Sequence, residues 1–207
     1  MTKPTEEQPP LKPKGGTGAH KISGERIEGH TLHLGRSKVI DTLVDTTFVD
    51  CTIRIHCGAS NLTLARCRFE NCTIWPAKEM RNLRVPTCTF EGCTFVGRYS
   101  GARFGDGVRD CDFSGAKSLD LCDFGPGADI ASCRWPTWPH VTIVEPMAHR
   151  AELEALDVSF DLGLTLEIVA EPPAASACTV DLSRYDDDLA TLRTRFESLD
   201  FVRFDDA

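Results

Sequence analysis

The chain repeats itself between residues 43 and 95, which read LVDTTFVDCTIRIHCGASNLT (43–63), LARCRFENCTIWPAKEMRNLR (64–84) and VPTCTFEGCTF (85–95). In rows of 21 residues, large apolar side chains align in three columns: Leu43, Leu64 and Val85; Phe48, Phe69 and Phe90; Ile53, Ile74 and Phe95. Within each row these residues are five apart, and the same spacing extends back to Ile22, Ile27 and Leu32. A period of this length indicates a stack of similar structural units.

A five-residue spacing matches neither the 3.6-residue period of a helix nor the two-residue period of a strand. It predicts short extended segments, each ending in a turn and each pointing one large residue inward. Four segments close one coil, and successive coils stack about 4.8 Å apart through backbone hydrogen bonds. We therefore predict a mainly β fold, a parallel β-helix of about five to six coils of 21–22 residues.

A small residue stands two positions before most of the large ones, with a polar residue between them. The instances are Cys51-Thr-Ile53, Cys67-Arg-Phe69, Cys72-Thr-Ile74, Cys88-Thr-Phe90, Cys93-Thr-Phe95, Cys111-Asp-Phe113, Cys122-Asp-Phe124, Ala128-Asp-Ile130 and Cys133-Arg-Trp135. Over residues 22–143 the chain resembles the pentapeptide-repeat family, which implies a right-handed quadrilateral β-helix. It departs from the family pattern by using Cys more than Ala, and by often placing Thr or Arg in the polar position.

Most of the 10 cysteines occupy one position of this repeat, where a small buried side chain is needed. Zinc ligands converge on one point at about 2.3 Å, whereas the repeat spreads the thiols in rows, so we predict no metal and no cofactor. Redox sensing remains an alternative. Free thiols fit a reducing compartment, the first 20 residues lack the apolar core of a secretory signal, and no apolar run is long enough for a membrane span. These features predict a cytoplasmic protein.

Composition divides the chain into three segments. Residues 1–20 are rich in Pro and Gly and are predicted to be a disordered tail, and residues 21–143 form the β-helix. Residues 144–207 form a small acidic α/β segment that caps the last coil. Within these segments we predict a protruding Gly-rich loop at 96–107, a strand over Leu162–Val169 and an amphipathic helix over Ser183–Leu199.

Charge is concentrated at the C-terminal end. The whole chain carries −8, whereas residues 140–207 contain 5 Arg, no Lys and 15 Asp or Glu, a net charge of −10. Such a segment does not bind phosphates, which argues against direct nucleic-acid binding. The candidate partner-binding residues are Asp186, Asp187 and Asp188 in the acidic segment, and Arg98 and Tyr99 in the predicted loop. The favoured interpretation of the three aspartates is that they begin a helix, where the dipole favours negative charge, and a partner surface or a metal site is the alternative.

No catalytic residue is nominated. His56 and Cys57 are adjacent, but neighbouring residues of an extended segment point to opposite faces, which is a poor arrangement for a nucleophile and its base. Sequence motifs for a nucleophile elbow, a zinc protease, a phosphate loop or a dinucleotide site do not occur.

Three functions follow from these observations. The preferred one is a non-catalytic macromolecular binding protein with a protein partner, for example an immunity or antagonist protein that docks a basic partner through the acidic segment. The family resemblance implies a second, a topoisomerase-protecting DNA mimic, although residues 1–139 are almost neutral. The third is an enzyme built on a β-helix, for which no residue is proposed.

Overall fold

Parallel strands wind into about five stacked coils, and three helices lie near the C-terminus, in the computed structural model. The structure describes residues 19–36, 40–171 and 175–205. The predicted fold class, a mainly β solenoid, is confirmed. Most of the predicted tail, residues 1–18, lies outside the described residues.

Each coil is a series of short strands separated by corners. The first three coils contain β1 (Ala19–Ser23), β2 (Arg26–Glu28), β3 (Thr31–Leu34), β4 (Ile40–Val44), β5 (Thr47–Val49), β6 (Thr52–Ile55), β7 (Leu62–Ala65), β8 (Arg68–Glu70) and β9 (Thr73–Pro76). The later coils contain β10 (Met80–Arg81), β11 (Arg84–Val85), β12 (Thr89–Glu91), β13 (Thr94–Phe95), β14 (Gly97–Ser100), β15 (Arg103–Phe104), β16 (Gly107–Arg109), β17 (Ala116–Asp120) and β18 (Cys122–Phe124). Short 3-10 helices cover Ala59–Asn61 and Ile130–Ser132.

The predicted 21-residue register is present in the strand pairing. In the five-stranded sheet, β5 pairs with β8 and β8 with β12, so that Phe48, Phe69 and Phe90 lie opposite one another. Their rings stack with centroids 5.0 Å apart and planes 11° and 5° from parallel. All three are buried, which confirms the inward column that the sequence predicts.

The predicted loop at 96–107 is wrong, because this segment forms β14, β15 and β16 and completes a shorter coil. Phe90 pairs with Val108, only 18 residues later, and Val85 pairs with Phe104. The glycines that suggested a loop instead permit close stacking. A Cβ atom at Gly105 would lie within 3.0 Å of the Pro86 backbone, and one at Gly107 within 3.0 Å of Thr89.

Most corners of the coil use left-handed backbone two residues after an inward-pointing residue. Among the described residues, seven such corner residues other than glycine have φ between 51° and 55°: Asp45, Asp50, Arg66, Asn71, Asn82, Asp110 and Leu121. This region is costly for most side chains and is best tolerated by Gly, Asn and Asp. The corners therefore account for the Gly, Asn and Asp residues that recur between the short strands.

The cysteines lie in the core, as predicted. Nine of the ten free cysteines are buried and Cys57 is partly exposed. The Cys51, Cys72 and Cys93 thiols donate weak hydrogen bonds to backbone carbonyl oxygens of the preceding coil at 3.4–3.5 Å. Their polar hydrogens are therefore partnered inside an otherwise apolar column.

A C-terminal cap closes the last coil. It contains β19 (His140–Val144), α1 (Arg150–Glu154), α2 (Phe160–Val169), β20 (Ala177–Asp181), a 3-10 helix (Leu182–Arg184), α3 (Leu189–Glu197) and β21 (Val202–Arg203). Strand β20 pairs antiparallel with β18 and with β19, so one six-stranded sheet runs from the coil into the cap. The cap also has its own hydrophobic core.

The predicted strand over Leu162–Val169 is wrong, because these residues belong to α2. The predicted helix over Ser183–Leu199 is present in shorter form as α3. Within the described residues, none of the helices has the length and apolar character needed to cross a membrane.

Candidate functional site

A buried polar cluster joins the cap to the coil. Asp120 ends β17 and Asp181 ends β20, and the two residues are 2% and 5% exposed. Arg184 donates to Asp120 at 2.5 Å, and Nε2 of His140 lies 3.3 Å from Oδ2 of Asp181. The Ser118 hydroxyl, from the coil, donates to Asp181 at 2.9 Å. These contacts hold the cap in a fixed position on the last coil.

The cluster shifts the pKa of Asp120, Asp181 and His140. Burial raises the pKa of Asp120. Burial would also raise the pKa of Asp181, but the ionic contact with His140 and the hydrogen bonds from Ser183 outweigh it and hold that pKa well below its usual range. Burial would lower the pKa of His140, yet its contact with Asp181 raises it. The His140–Asp181 pair is therefore stabilised in its charged form.

The predicted acidic triplet has a largely structural role. Asp188 is the N-cap of α3 and accepts hydrogen bonds from the Thr191 backbone N–H at 2.8 Å and hydroxyl at 2.7 Å. These bonds lower the pKa of Asp188. Asp187 accepts two hydrogen bonds from Ser159, the N-cap of α2. Asp186 is exposed and has no hydrogen bond or ion pair among the described residues. Of the three aspartates, its carboxylate is therefore the one available to a partner.

Side chains alternate in direction along β14, so the second predicted pair, Arg98 and Tyr99, does not share one surface. Tyr99 is fully buried, and its hydroxyl donates to the Ile74 carbonyl oxygen at 3.0 Å. The prediction that Tyr99 contacts a partner is therefore wrong, since the segment is a strand of the coil rather than a loop. Arg98 is exposed, but it lies on the coil, whereas Asp186 lies in the cap beside the start of α2.

Sequence reasoning missed the most exposed apolar surface of the cap. On one face of α2, Phe160, Leu164 and Ile168 are 83%, 46% and 50% exposed. On the opposite face, Leu162 and Leu166 are buried in the cap core. Because α2 is apolar on two faces, its alternating pattern also suits a strand. The signal that reveals the helix is Ser159 as an N-cap followed by apolar residues four apart.

Carboxylates that make no ion pair with a described residue flank this apolar face, and at its C-terminal end Ile168 also lines a pocket with Arg84 and Arg103 of the coil. Asp161 and Glu167 lie on either side of it, and Glu171 follows the end of the helix. None of the three has an ion pair among the described residues. Four of the five arginines of the cap form ion pairs with other carboxylates of the same chain: Arg150 with Glu154, Arg184 with Asp120, Arg193 with Glu197 and Arg195 with Asp157.

The His56–Cys57 pair shows no arrangement for catalysis. Nε2 of His56 lies 3.0 Å from Nδ1 of His33, and the Cys57 thiol lies 3.8 Å from the Asn61 carbonyl oxygen. Burial and the nearby charge of Asp41 raise the pKa of Cys57, which opposes thiolate formation. In the part of the chain that the structure describes, no group of three His, Cys, Asp or Glu side chains is placed to hold a metal ion.

Comparison with protein-family models, with curated proteins and with solved structures finds no match to this chain. Its function must therefore be inferred from its own surfaces. The surface that combines exposed apolar area with unpaired charge is the outer face of α2.

Proposed function

We propose that this protein is a non-catalytic binding protein that docks a basic protein partner on its acidic cap. The observation that carries the proposal is the imbalance of charge there. Four of the five arginines of the cap are paired within the chain, while Asp161, Glu167, Glu171 and Asp186 make no ion pair with a described residue. A surface of this kind attracts a cationic partner and accelerates its association.

The way the cap is attached supports this role. Strand β20 is part of the coil's own sheet, and the ion pair between buried Asp120 and exposed Arg184 adds a second attachment. A partner would therefore meet a surface that needs little ordering, which lowers the entropic cost of binding. An immunity or antagonist protein, which must bind one target tightly, is the specific form that we propose.

The coil supports two further parts of the proposal. The inward-pointing residues of the coil are five apart, and most corners follow two residues after one of them. This pattern favours a Cys-rich variant of the pentapeptide-repeat architecture. Its ten free cysteines favour a reducing, cytoplasmic location. The DNA-mimic alternative has weaker support, because carboxylates on the coil are matched by arginines, as in the 2.6 Å pair of Asp45 and Arg66.

A capture experiment followed by titration tests the proposal. Partners from the native host are captured on the immobilised chain and identified by mass spectrometry, and the purified partner is then titrated by calorimetry. We expect the affinity to fall at least tenfold between 50 and 300 mM salt, and to fall similarly in the Asp186→Lys, Glu171→Lys variant. The control is Glu25→Lys, which reverses an exposed carboxylate on the first coil. Affinity unchanged by salt and by both reversals in the cap would refute a charge-driven cap interface.

A further inference from the structure

Helix α2 exposes more apolar surface than its place in the cap requires. Leu162 and Leu166 are fully buried and already fix the inner face of the helix on the cap core. Phe160, Leu164 and Ile168 add nothing to that core, yet they stand in a row four residues apart on the outer face. A contiguous apolar patch of this kind on a soluble protein usually marks an interaction site.

The row has the dimensions of a helix-binding surface. Phe160 and Ile168 are eight positions apart, which corresponds to about 12 Å along the helix axis. Partner helices that dock in this way present apolar residues at positions i, i+3 or i+4, and i+7. Two turns of such a helix therefore match the length of the exposed row.

The charges beside the row decide which occupant fits. At 100° per residue, Asp161 and Glu167 lie about 60° to either side of Leu164, and both are exposed. A second copy of the chain, packed through the same face by a two-fold axis, would bring these carboxylates together, which is unfavourable. A membrane surface is also a poor match, because its anionic lipids repel Asp and Glu, whereas interfacial helices carry Lys and Arg.

We infer that the outer face of α2, formed by Phe160, Leu164 and Ile168 between Asp161 and Glu167, docks a basic amphipathic helix of a protein partner. This inference rests on the binding function proposed above and names the contact surface and the partner's chemistry. The apolar side of the partner helix covers the row, and Lys or Arg residues on its flanks pair with the two carboxylates.

The test uses a defined probe. An 18-residue, fluorescein-labelled peptide of Leu and Lys, with Leu at helical a and d positions and Lys elsewhere, is titrated with the full chain by fluorescence anisotropy. A peptide of the same composition in scrambled order is the matched probe. We expect the patterned peptide to bind at least tenfold more tightly than the scrambled one.

Variants of the chain locate the contact. Replacing Phe160, Leu164 and Ile168 by Ser should weaken binding of the patterned peptide at least tenfold, and Asp161→Lys with Glu167→Lys should do the same at low salt. The control replaces Ile40 and Met147 by Ser, since these residues are 46% and 53% exposed outside α2. Circular dichroism verifies folding, and the single change Phe160→Ser replaces the triple variant if the latter does not fold.

Equal binding of the two peptides, or wild-type affinity in the Phe160→Ser and triple variants, would overturn the inference. So would sedimentation showing a wild-type dimer that the triple variant abolishes, because the occupant would then be a second copy. A different outcome is that the native partner loses affinity with salt and with Asp186→Lys but binds the α2 variants as tightly as the wild type. In that case the charge-driven cap interface stands and only its location on α2 is wrong.

Discussion

The carboxylate of Asp187 accepts two hydrogen bonds from Ser159, one from its backbone N–H at 2.8 Å and one from its hydroxyl at 2.5 Å. Ser159 is the N-cap of α2, so a residue that precedes α3 fixes the start of a different helix. The exposed row that begins at Phe160 is thereby held in place by one of the three aspartates that the sequence nominates for partner binding.

Replacing Asp187 by Ala should lower the free energy of unfolding by about 2 kcal/mol, because hydrogen bonds to a charged group are worth about 1.5–3 kcal/mol. Urea denaturation followed by circular dichroism measures the change. Asp186→Ala is the control and should stay within about 0.5 kcal/mol, since Asp186 is exposed and unpaired. Equal effects of the two substitutions would show that the Asp187–Ser159 contact is unimportant.

The His140–Asp181 pair should make stability depend on pH. The pKa of Asp181 is depressed, so its contribution is present above about pH 4, the unfolded value, and is lost as the pH falls further. The pKa of His140 is raised, so its contribution is complete below about pH 6.5 and is lost as the pH rises through the folded value. Asp120 opposes this trend at low pH, because burial raises its pKa.

The contribution of His140 is obtained by comparing the wild type with His140→Gln. The unfolding free energies of both proteins are measured at pH 5.5 and 8.5. We expect the stability advantage of the wild type to be larger at pH 5.5 and to shrink at pH 8.5. A difference that does not change with pH would mean that the pKa of His140 is the same in the folded and unfolded protein, and a smaller advantage at pH 5.5 would mean that folding lowers this pKa.

Three glycine-to-alanine substitutions should separate backbone conformation from packing. Gly58 has a φ of −78° and open space around it, so Gly58→Ala should be neutral or slightly stabilising. Gly24 has a φ of +71° with no atom within 4 Å of a Cβ, so Gly24→Ala should cost about 1 kcal/mol.

Gly105→Ala should lower the free energy of unfolding the most, by about 3 kcal/mol. A Cβ atom there meets the Pro86 backbone, which cannot move without disturbing the coil. Thermal and urea denaturation rank the three variants. A tolerated Gly105→Ala would contradict the close stacking of coils at residues 96–107.

Thiol labelling should distinguish Cys57 from the other cysteines. Cys57 is partly exposed, whereas the other nine are buried. Iodoacetamide should therefore modify one cysteine in the native protein and ten in denaturant, as counted by intact mass and located by peptide mapping. The raised pKa of Cys57 makes this single reaction slow near neutral pH. Native labelling of several column cysteines would show that the coils open readily.

The repeat alone determined the solenoid. A five-residue spacing repeated over rows of 21 places Phe48, Phe69 and Phe90 in one column, because each coil must pair with the next in the same register to bury them. The same spacing of inward-pointing residues recurs from coil to coil, so a short irregular stretch does not alter the fold. The burial of the cysteines follows from the same columns.

Only the tertiary structure decided the cap and the candidate site. The apolar alternation of residues 162–169 suits a strand and a helix equally, and packing of Leu162 and Leu166 against the cap core selects the helix. The glycines of 96–107 are compatible with both a loop and a tightly stacked coil. Their stacking on Pro86 and Thr89 favours the coil, and the coil buries Tyr99. Asp187 meets Ser159 across 28 residues of chain. Such contacts leave no periodic trace in a sequence, because each is made once, between segments that only folding brings together.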